Sequence, residues 1–532
     1  MGPLSGWRVR HPLLPVAPVA EAVALLGALG ARAEPSGSAG RPQPDVLTVL
    51  PPPRLGWPAT WARLTGPVPA LAGLPGAVPD RAAGALLAMT VLAAAREGGE
   101  VTVDPVDVAV TLLLPAVLAV SYDAPPPGRP APLWRPDGWL AAELGAPGDT
   151  EAFERMLATL PRGAGVDEVA AEAQLWRLPV VPYRLPAPSR RTAGEGPTAA
   201  PAARGTPGAH AQITGLAGRV TAGDVPAVRD RPDVTAPTPT LGGRPGPLSG
   251  TRVLDATVMW AGPLATWLLA GLGAAVLTIE PAVRPDGTRA PHGGGIYPHG
   301  RLVPGDGHRS AVFTALARGK VRWDLDLREH AAVNALAHEI GHTDLLIDNL
   351  SPRARRQLGL TAAGLRPVNP DLLTVTIPAF GPGEPRRGWV AYGAHAHADS
   401  GLAWGDAPPP PARVPDAPPL PAAAAYADAL TGLHVATVAV ALLWGRRAGW
   451  RPDGDVEVPL MGSVRGLRAR PGDADRLRAD PRDLARALLE RRADRFVPVR
   501  VAGEDLLHPR HPWSRQPGEA AANPADGPGP GV

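Results

Sequence analysis

Gly246-Pro247-Leu248-Ser249-Gly250-Thr251-Arg252-Val253-Leu254-Asp255 is the stretch from which the architecture follows. Thr251–Leu254 is a short apolar run suited to a strand, and Pro263–Leu272 after it reads as an apolar helix. Ala275–Ile279 is a second strand, His330–Ile340 a helix, and Leu345–Ile347 and Leu372–Ile377 are further strands. Short apolar runs alternating with helices make βαβ units, and these build a mainly parallel sheet covered on both faces. The expectation is an α/β fold of Rossmann-like parallel-sheet modules. Ligands of such sheets bind beyond the carboxyl ends of the strands, here the turn Ala256–Gly262 and the segment after Ile347.

The opening stretch occurs twice, as Gly2-Pro3-Leu4-Ser5-Gly6-Trp7-Arg8-Val9 and again from Gly246. Leu25–Ala31 parallels Leu268–Ala274, and Pro44–Val49 parallels Pro370–Val375. Asp80-x3-Gly84, followed by Val101–Val103, parallels Asp428-x3-Gly432, followed by Val456–Val458. Four matches in one order imply two tandem copies of one plan, differently truncated. Copy one, residues 1–186, lacks the counterpart of Arg318–Asn349 and ends in a helix-and-strand segment, 131–186. Residues 187–245 are rich in Pro, Ala, Gly and Thr and read as a flexible linker. Copy two spans 246–513, and 514–532 reads as a disordered tail.

Composition narrows the function. The 532 residues suit roughly three domains or two large ones. Zero cysteines exclude disulfides and thiolate chemistry. A net charge of +3 without a basic cluster gives no case for nucleic acid. Leu13–Ala33 has the outline of a secretory signal, but Pro15, Pro18 and Glu21 interrupt it, and the repeat accounts for it better. No apolar run reaches the ~20 residues of a spanning helix, so neither membrane nor export is expected and the placement is cytoplasmic.

At this point the residues resemble a known family, the class III CoA-transferases, which include formyl-CoA and carnitine-CoA transferases and acyl-CoA racemases. Leu248–Asp255 and Trp260–Thr266 are similar to the family's opening strand and turn. Leu272-Gly273-Ala274, Ile279-Glu280-Pro281 and Asp286-Gly287-Thr288-Arg289 continue the likeness. So do Arg318-Gly319-Lys320 with Asp324–Leu327, Leu345–Pro352 with Leu358-Gly359-Leu360, Asn369-Pro370-Asp371 and Ser400-Gly401-Leu402. The resemblance runs from about Leu248 to Val458, and more weakly through copy one.

The resemblance implies a nucleophilic carboxylate in the Asp-x3-Gly setting, here Asp428. Such a carboxylate attacks an acyl-CoA thioester, gives a mixed anhydride, and is converted by the returning CoA to an aspartyl-CoA thioester. It implies CoA-binding positions at Met259, Trp260, Ala261, Asn349 and Leu350, with a phosphate-binding arginine at Arg356 (or Gln357 in its place). Lys320 suits a phosphate as a point charge. Coenzyme A thioester is then a substrate, no cofactor is tightly bound, and no metal is required. The partners are an acyl-CoA and a small carboxylic acid. The family's dimers are interlocked, so the chain is expected to be a homodimer or a pseudo-dimer in which 131–186 serves as a small domain.

Two departures keep other readings open. Tyr392-Gly393 stands where transferases often carry an acid after the tyrosine and where racemases have His-Asp; His395 and His397 lie close by. An acyl-CoA racemase or isomerase, or a catalytically inactive relative, therefore stands beside the transferase. Asp80 occupies the place of Asp428 in copy one, without a CoA-binding stretch of its own. His338-Glu339-Ile340-Gly341-His342 fits the zinc-protease motif but lacks a third ligand at the usual spacing.

Overall fold

A computed structural model describes residues 2–11, 17–35, 46–56, 60–64, 74–96, 99–125, 131–185, 240–241 and 244–280. It further describes 285–290, 294–302, 310–326, 329–405, 418–422, 424–467, 469–501 and 503–512. The expected tail, and nearly all of the expected linker, lie outside the described residues.

The first part of the chain forms β1 (Arg8–His11), α1 (Ala17–Ala28), β2 (Arg32–Pro35), β3 (Val46–Leu50) and β4 (Thr60–Leu64). It continues with α2 (Val78–Ala94), β5 (Gly99–Val103), α3 (Pro105–Leu112) and α4 (Leu114–Ser121). A separate module follows: β6 (Leu133–Arg135), β7 (Gly138–Ala142), α5 (Asp149–Thr159), α6 (Val166–Leu175) and β8 (Val180–Pro182). After a short ribbon of β9 (Thr240–Leu241) and β10 (Arg244–Pro245), the second part begins with β11 (Arg252–Ala256), α7 (Ala261–Gly271) and β12 (Ala275–Glu280). Next come α8 (Ala311–Ala317), β13 (Val321–Asp324), α9 (His330–Ile340), β14 (Leu345–Asp348), α10 (Pro352–Leu358), α11 (Ala362–Leu365) and β15 (Leu373–Thr376). The chain then runs through α12 (Gly393–Ser400), α13 (Tyr426–Arg447), β16 (Val456–Glu457), α14 (Leu460–Val464), α15 (Asp473–Arg478), α16 (Pro481–Arg491), β17 (Phe496–Val501) and β18 (Glu504–Pro509).

The second part meets the α/β expectation. Its six strands are all parallel, in the order β13-β12-β11-β14-β15-β16. Every residue of β14 and β15 is buried, as strands covered on both faces must be. The chain leaves β11 towards β12 on one side and returns to β14 on the other, so the strand order reverses between β11 and β14. That reversal opens a crevice at the carboxyl ends of the two strands.

The first sheet, in the order β2-β1-β3-β4-β5, copies this plan with one strand turned round. β2 pairs with β1, and β5 with β4, in parallel, as β12 pairs with β11 and β16 with β15. β3 lies antiparallel to both its neighbours. The expected match of Pro44–Val49 with Pro370–Val375 is thereby corrected: β4, not β3, holds the place of β15. Nine residues join β3 to β4, too few for the crossover that a parallel pair needs.

The two openings fold alike in detail. Leu4 N–H donates to Leu29 O and Leu248 N–H to Leu272 O, each at 2.9 Å. Gly30 and Gly273 take the left-handed φ values of 101° and 97° that turn each helix into its next strand. α1, part of the segment with a signal-like outline, buries Val19, Ala22, Leu25 and Leu26 in the core.

Both parts share one core. α2 and α13 lie side by side and run in the same direction, since Thr437 Oγ1 donates to Ala85 O (3.2 Å) and Trp444 Nε1 to Leu92 O (2.6 Å). Among the described residues α13 is a helix long and apolar enough to cross a membrane, but it is buried almost throughout, against α2 and α7. The 131–185 module, a three-stranded antiparallel sheet with two helices, docks on α12. Gln174 exchanges two hydrogen bonds with the Val390 backbone (3.0 and 2.6 Å), and Arg184 N–H donates to Ala398 O (3.0 Å). The Asp480–Val501 region, loosely similar to this module in sequence, instead forms α16 and one strand of the β17–β18 hairpin.

Candidate active site at the switch point of the parallel sheet

The turn between β11 and α7 is held open by specific bonds. Asn349, just past β14, clamps it: Val258 N–H donates to Asn349 Oδ1 (3.2 Å), and Asn349 Nδ2 donates to Val258 O (2.8 Å). Met259 takes a left-handed φ of 72°, a costly conformation for a side-chain-bearing residue. Its N–H is held by Asp286 Oδ2 at 2.9 Å. Met259, Trp260 and Leu350 are half-buried around this crevice, and Ala261 is buried at the first turn of α7. These expected positions therefore meet at one place, the strand-order reversal.

α13 brings Asp428 to the same place. A Cβ at Gly432 would lie 2.8 Å from Ala261 O and 2.9 Å from Leu264, so only glycine lets α13 cross α7 this closely. Four residues of helix span about 6 Å, so the carboxylate sits one turn from the Met259–Ala261 turn. It also lies against the first residue of α12, where a Cβ at Gly393 would fall on Asp428 Oδ2. Burial, and then the charge of Glu143, push the Asp428 carboxyl up to about 7. Some of its surface stays accessible.

Glu143 was not foreseen from sequence. It follows β7 directly, and Oε2 is sheltered with no hydrogen-bond partner. Burial pushes its carboxyl up to about 7. The nearby His395 does not neutralise it, although Nδ1 lies 3.7 Å from Oε2. That nitrogen accepts the Tyr392 N–H (2.9 Å), so the ring proton sits on Nε2, which donates to Pro179 O (2.8 Å). Burial pushes His395 down to about 4, and the ring is neutral. The only sequence signal for Glu143 was an acid directly after the apolar run Leu140-Ala141-Ala142.

Two expected CoA-binding residues are placed elsewhere. Lys320 is buried beneath α7, and its ammonium meets three protein acceptors: Asp255 Oδ2 (3.2 Å), Pro263 O (2.9 Å) and Thr266 Oγ1 (2.6 Å). All three protons are used, so the amine braces the sheet against α7 and has none left for a phosphate. Arg356 is exposed on α10, as is Gln357. Their neighbour Arg355 turns inward to Asp348 (2.9 Å) and Asp455 (2.9 Å).

Asp80 and the histidines are also committed. Asp80 is ion-paired with Arg470. His397 Nε2 meets Leu420 O at 3.0 Å. In the zinc-like motif Glu339 is buried against Arg252 (2.7 Å), while His338 and His342 are exposed. Among the described residues no group of three His, Cys, Asp or Glu side chains is placed to hold a metal. A cavity lined by Leu365, Arg366, Arg451 and Asp453 lies beyond the other end of α13, about 28 Å of helix from Asp428.

Comparison with known proteins gives a consistent picture. Residues 248–464 match CoA-transferase family III. The formyl-CoA:oxalate CoA-transferase of Streptomyces coelicolor is 32% identical over 235 residues, covering 44% of this chain and 53% of that protein. The succinyl-CoA–L-malate CoA-transferase alpha subunit of Chloroflexus aurantiacus is 30% identical over 199 residues, covering 36% and 41%. A solved CAIB/BAIF family protein from Brucella suis is 25% identical, covering 42% of this chain and 55% of that one, with a TM-score of 0.35. The chain thus spans about half the length of the curated relatives it matches.

Proposed function

We propose, from the match of residues 248–464 to CoA-transferase family III, that the chain moves CoA between an acyl-CoA and a small carboxylic acid, with Asp428 as the nucleophile. One observation carries the reading. Asp428 is a carboxylate that pairs with no cation among the described residues, in the first turn of a buried helix, one turn from the crevice at the sheet's switch point. A desolvated carboxylate is a better nucleophile than a hydrated one, and the N-terminal ends of α12 and α13 favour negative charge there.

Asp428 attacks the thioester carbonyl and expels CoA, leaving an acyl-aspartyl anhydride. The CoA sulfur then attacks the Asp428 carbonyl, and the donor acid departs from an aspartyl-CoA thioester. An acceptor acid repeats both steps in reverse. The half-buried Met259, Trp260, Asn349 and Leu350, with the buried Ala261, are the residues that would line the CoA side. Formyl-CoA, oxalate, succinyl-CoA and malate in the relatives' names support small carboxylates as the substrate class.

The same reading takes the chain as a duplicated protein acting as its own dimer. The matched hydrogen bonds of the two openings, the shared core and the docking of 131–185 on α12 support it. Copy one's Asp80, tied to Arg470, is then a silent counterpart. The racemase alternative needs two acid/base groups across an α-carbon, and the two histidines it relied on are bound to backbone carbonyls. A cytoplasmic setting, where acyl-CoA is available, belongs to this proposal.

The test is incubation of the full chain in D2O with a panel of acyl-CoA donors and carboxylic acids. New acyl-CoA without deuterium at the α-carbon supports transfer. Exchange at the α-carbon without transfer overturns it in favour of isomerisation.

A further inference from the structure

Glu143 has a geometry that invites a role. The 131–185 module holds it at the start of α12, where Gly393 leaves the space that Asp428 enters. Glu143 is half-buried, and its Oε2 is sheltered from water and matched by no donor among the described residues. An oxygen sheltered in this way is poorly solvated as an anion, which favours the protonated form of the carboxyl.

We propose that Glu143 is the second ionisable group of the reaction, holding one proton jointly with Asp428 and passing it to the departing CoA sulfur. This rests on the CoA-transfer reading above and supplies the reaction with an acid/base from the other half of the chain. The steps balance. Asp428 attacks as the carboxylate while Glu143 carries the proton. The C–S bond breaks with its electron pair on sulfur, and Glu143 gives that sulfur its proton, leaving CoA thiol, the anhydride and the Glu143 carboxylate. On the return, the thiol hands the proton back to Glu143 as sulfur attacks the Asp428 carbonyl. The anhydride C–O bond then breaks and the donor acid leaves as a carboxylate, with no net proton gained or lost.

The energetics favour this order. Burial raises each carboxyl, and the charge of Glu143 raises Asp428 further, so two neighbouring carboxylates do not both ionise readily and the pair favours a state with one proton. Both groups are pushed up to about 7, below the ~8.5 of an alkyl thiol, so the proton passes downhill to a nascent thiolate. Without the transfer, a thiolate would form beside a carboxylate in a site poor in water.

Among the described residues the other charged side chains on the neighbouring elements are already engaged or exposed. On α12, His395 and His397 serve backbone carbonyls, and Asp399 pairs with Arg386 (2.5 Å). On α2, Asp80 pairs with Arg470, and Arg81 reaches Glu21 and the carbonyls of Ser463 and Arg465. His434 on α13 faces Ser463 (3.3 Å) and is pushed down to about 3 by burial, and Asp107 on α3 faces Arg495 (3.2 Å). Asp167 and Glu168 on α6 are exposed, Asp167 pairing with Arg184, and Glu172 accepts from Trp176. Arg135 on β6 lies at the turn end of the β6–β7 hairpin, away from Glu143.

The test uses the full chain with Glu143→Gln, Glu143→Asp and Asp428→Asn, singly and with Glu143→Gln and Asp428→Asn combined. For an acyl-CoA and acid that the wild type turns over, Glu143→Gln should lower kcat on the order of 10²-fold with little change in KM. It should also abolish the alkaline limb of the pH profile and move the acid limb to lower pH, because Asp428 then ionises without a charged neighbour. Glu143→Asp should restore part of the rate and the two-limbed profile. A Glu143→Gln profile of unchanged shape overturns the proposal. A second arm needs no turnover, so it judges the pair even if the transfer reading fails: the pH dependence of Tm across the four proteins. Non-additivity of the two substitutions across the neutral range supports a jointly held proton, and additivity at every pH overturns it.

Discussion

Asp80 and Asp428 stand in the same sequence setting, four residues before a glycine in an apolar helix, yet their surroundings separate them. Asp80 meets the Arg470 guanidinium, whereas Asp428 meets the Gly393 backbone and the field of Glu143. That difference has a measurable cost. A carboxyl raised to about 7 when folded, against ~3.9 unfolded, binds its proton more tightly in the native state. The native state then loses stability as pH rises from about 4 to about 7, and the loss is complete above that. Asp428→Asn should therefore raise Tm by a few degrees at pH 8 relative to wild type and bring little gain at pH 4. Thermal melts at the two values would check this. Asp428 was singled out in the sequence by the family resemblance, because the Asp-x3-Gly spacing alone marks Asp80 equally. Lys320 and Arg356 could not be placed that way, because sequence does not tell whether an ammonium closes on Asp255 and Thr266 or which of two adjacent arginines turns inward. Glu143 was hidden for a related reason: its place depends on a docking contact 250 residues away in sequence.

Among the elements, the helix crossings set the site. Gly84 lets α2 approach α1, and Gly432 lets α13 approach α7, so the glycine of each Asp-x3-Gly serves helix packing. Gly432→Ala should press on Ala261 O and Leu264, cost about 1–3 kcal/mol, and lower kcat by moving Asp428 off the crevice. Denaturant melts read the first effect and steady-state kinetics the second. Four of the six strands of the second sheet, β11, β12, β14 and β15, were legible from apolar runs alone, with ends within two residues of those found, whereas the edge strands β13 and β16 were not named as strands. The direction of β3 was not legible either, because Leu47-Thr48-Val49 and Leu373-Thr374-Val375 read alike while strand direction depends on the connection, not the strand.

Across the whole molecule, one core runs through both parts, joined by the α2–α13 seam and by the Tyr122 OH to His508 Nε2 contact of 2.7 Å. Fragments 1–186 and 246–532 made together should then copurify and restore turnover, whereas 246–532 alone should lack it, being without Glu143 and the α2 face of α13. Full turnover by the second fragment alone would remove the two-part site. The likeness of the two openings could be read in the sequence because Gly-Pro-Leu-Ser-Gly occurs in both, whereas the Pro44–Val49 match paired strands that hold different places in the two sheets. The docking of 131–185 could not, because it rests on backbone bonds such as those of Val390 to Gln174.

The decisive measurement is peptide mass spectrometry of the full chain quenched during turnover with an acyl-CoA. The account predicts a CoA thioester on the Asp428 side chain, gained on mixing and lost when an acceptor acid is added. Acyl transfer proceeding with Asp428 unmodified, or undiminished in Asp428→Asn, would contradict it.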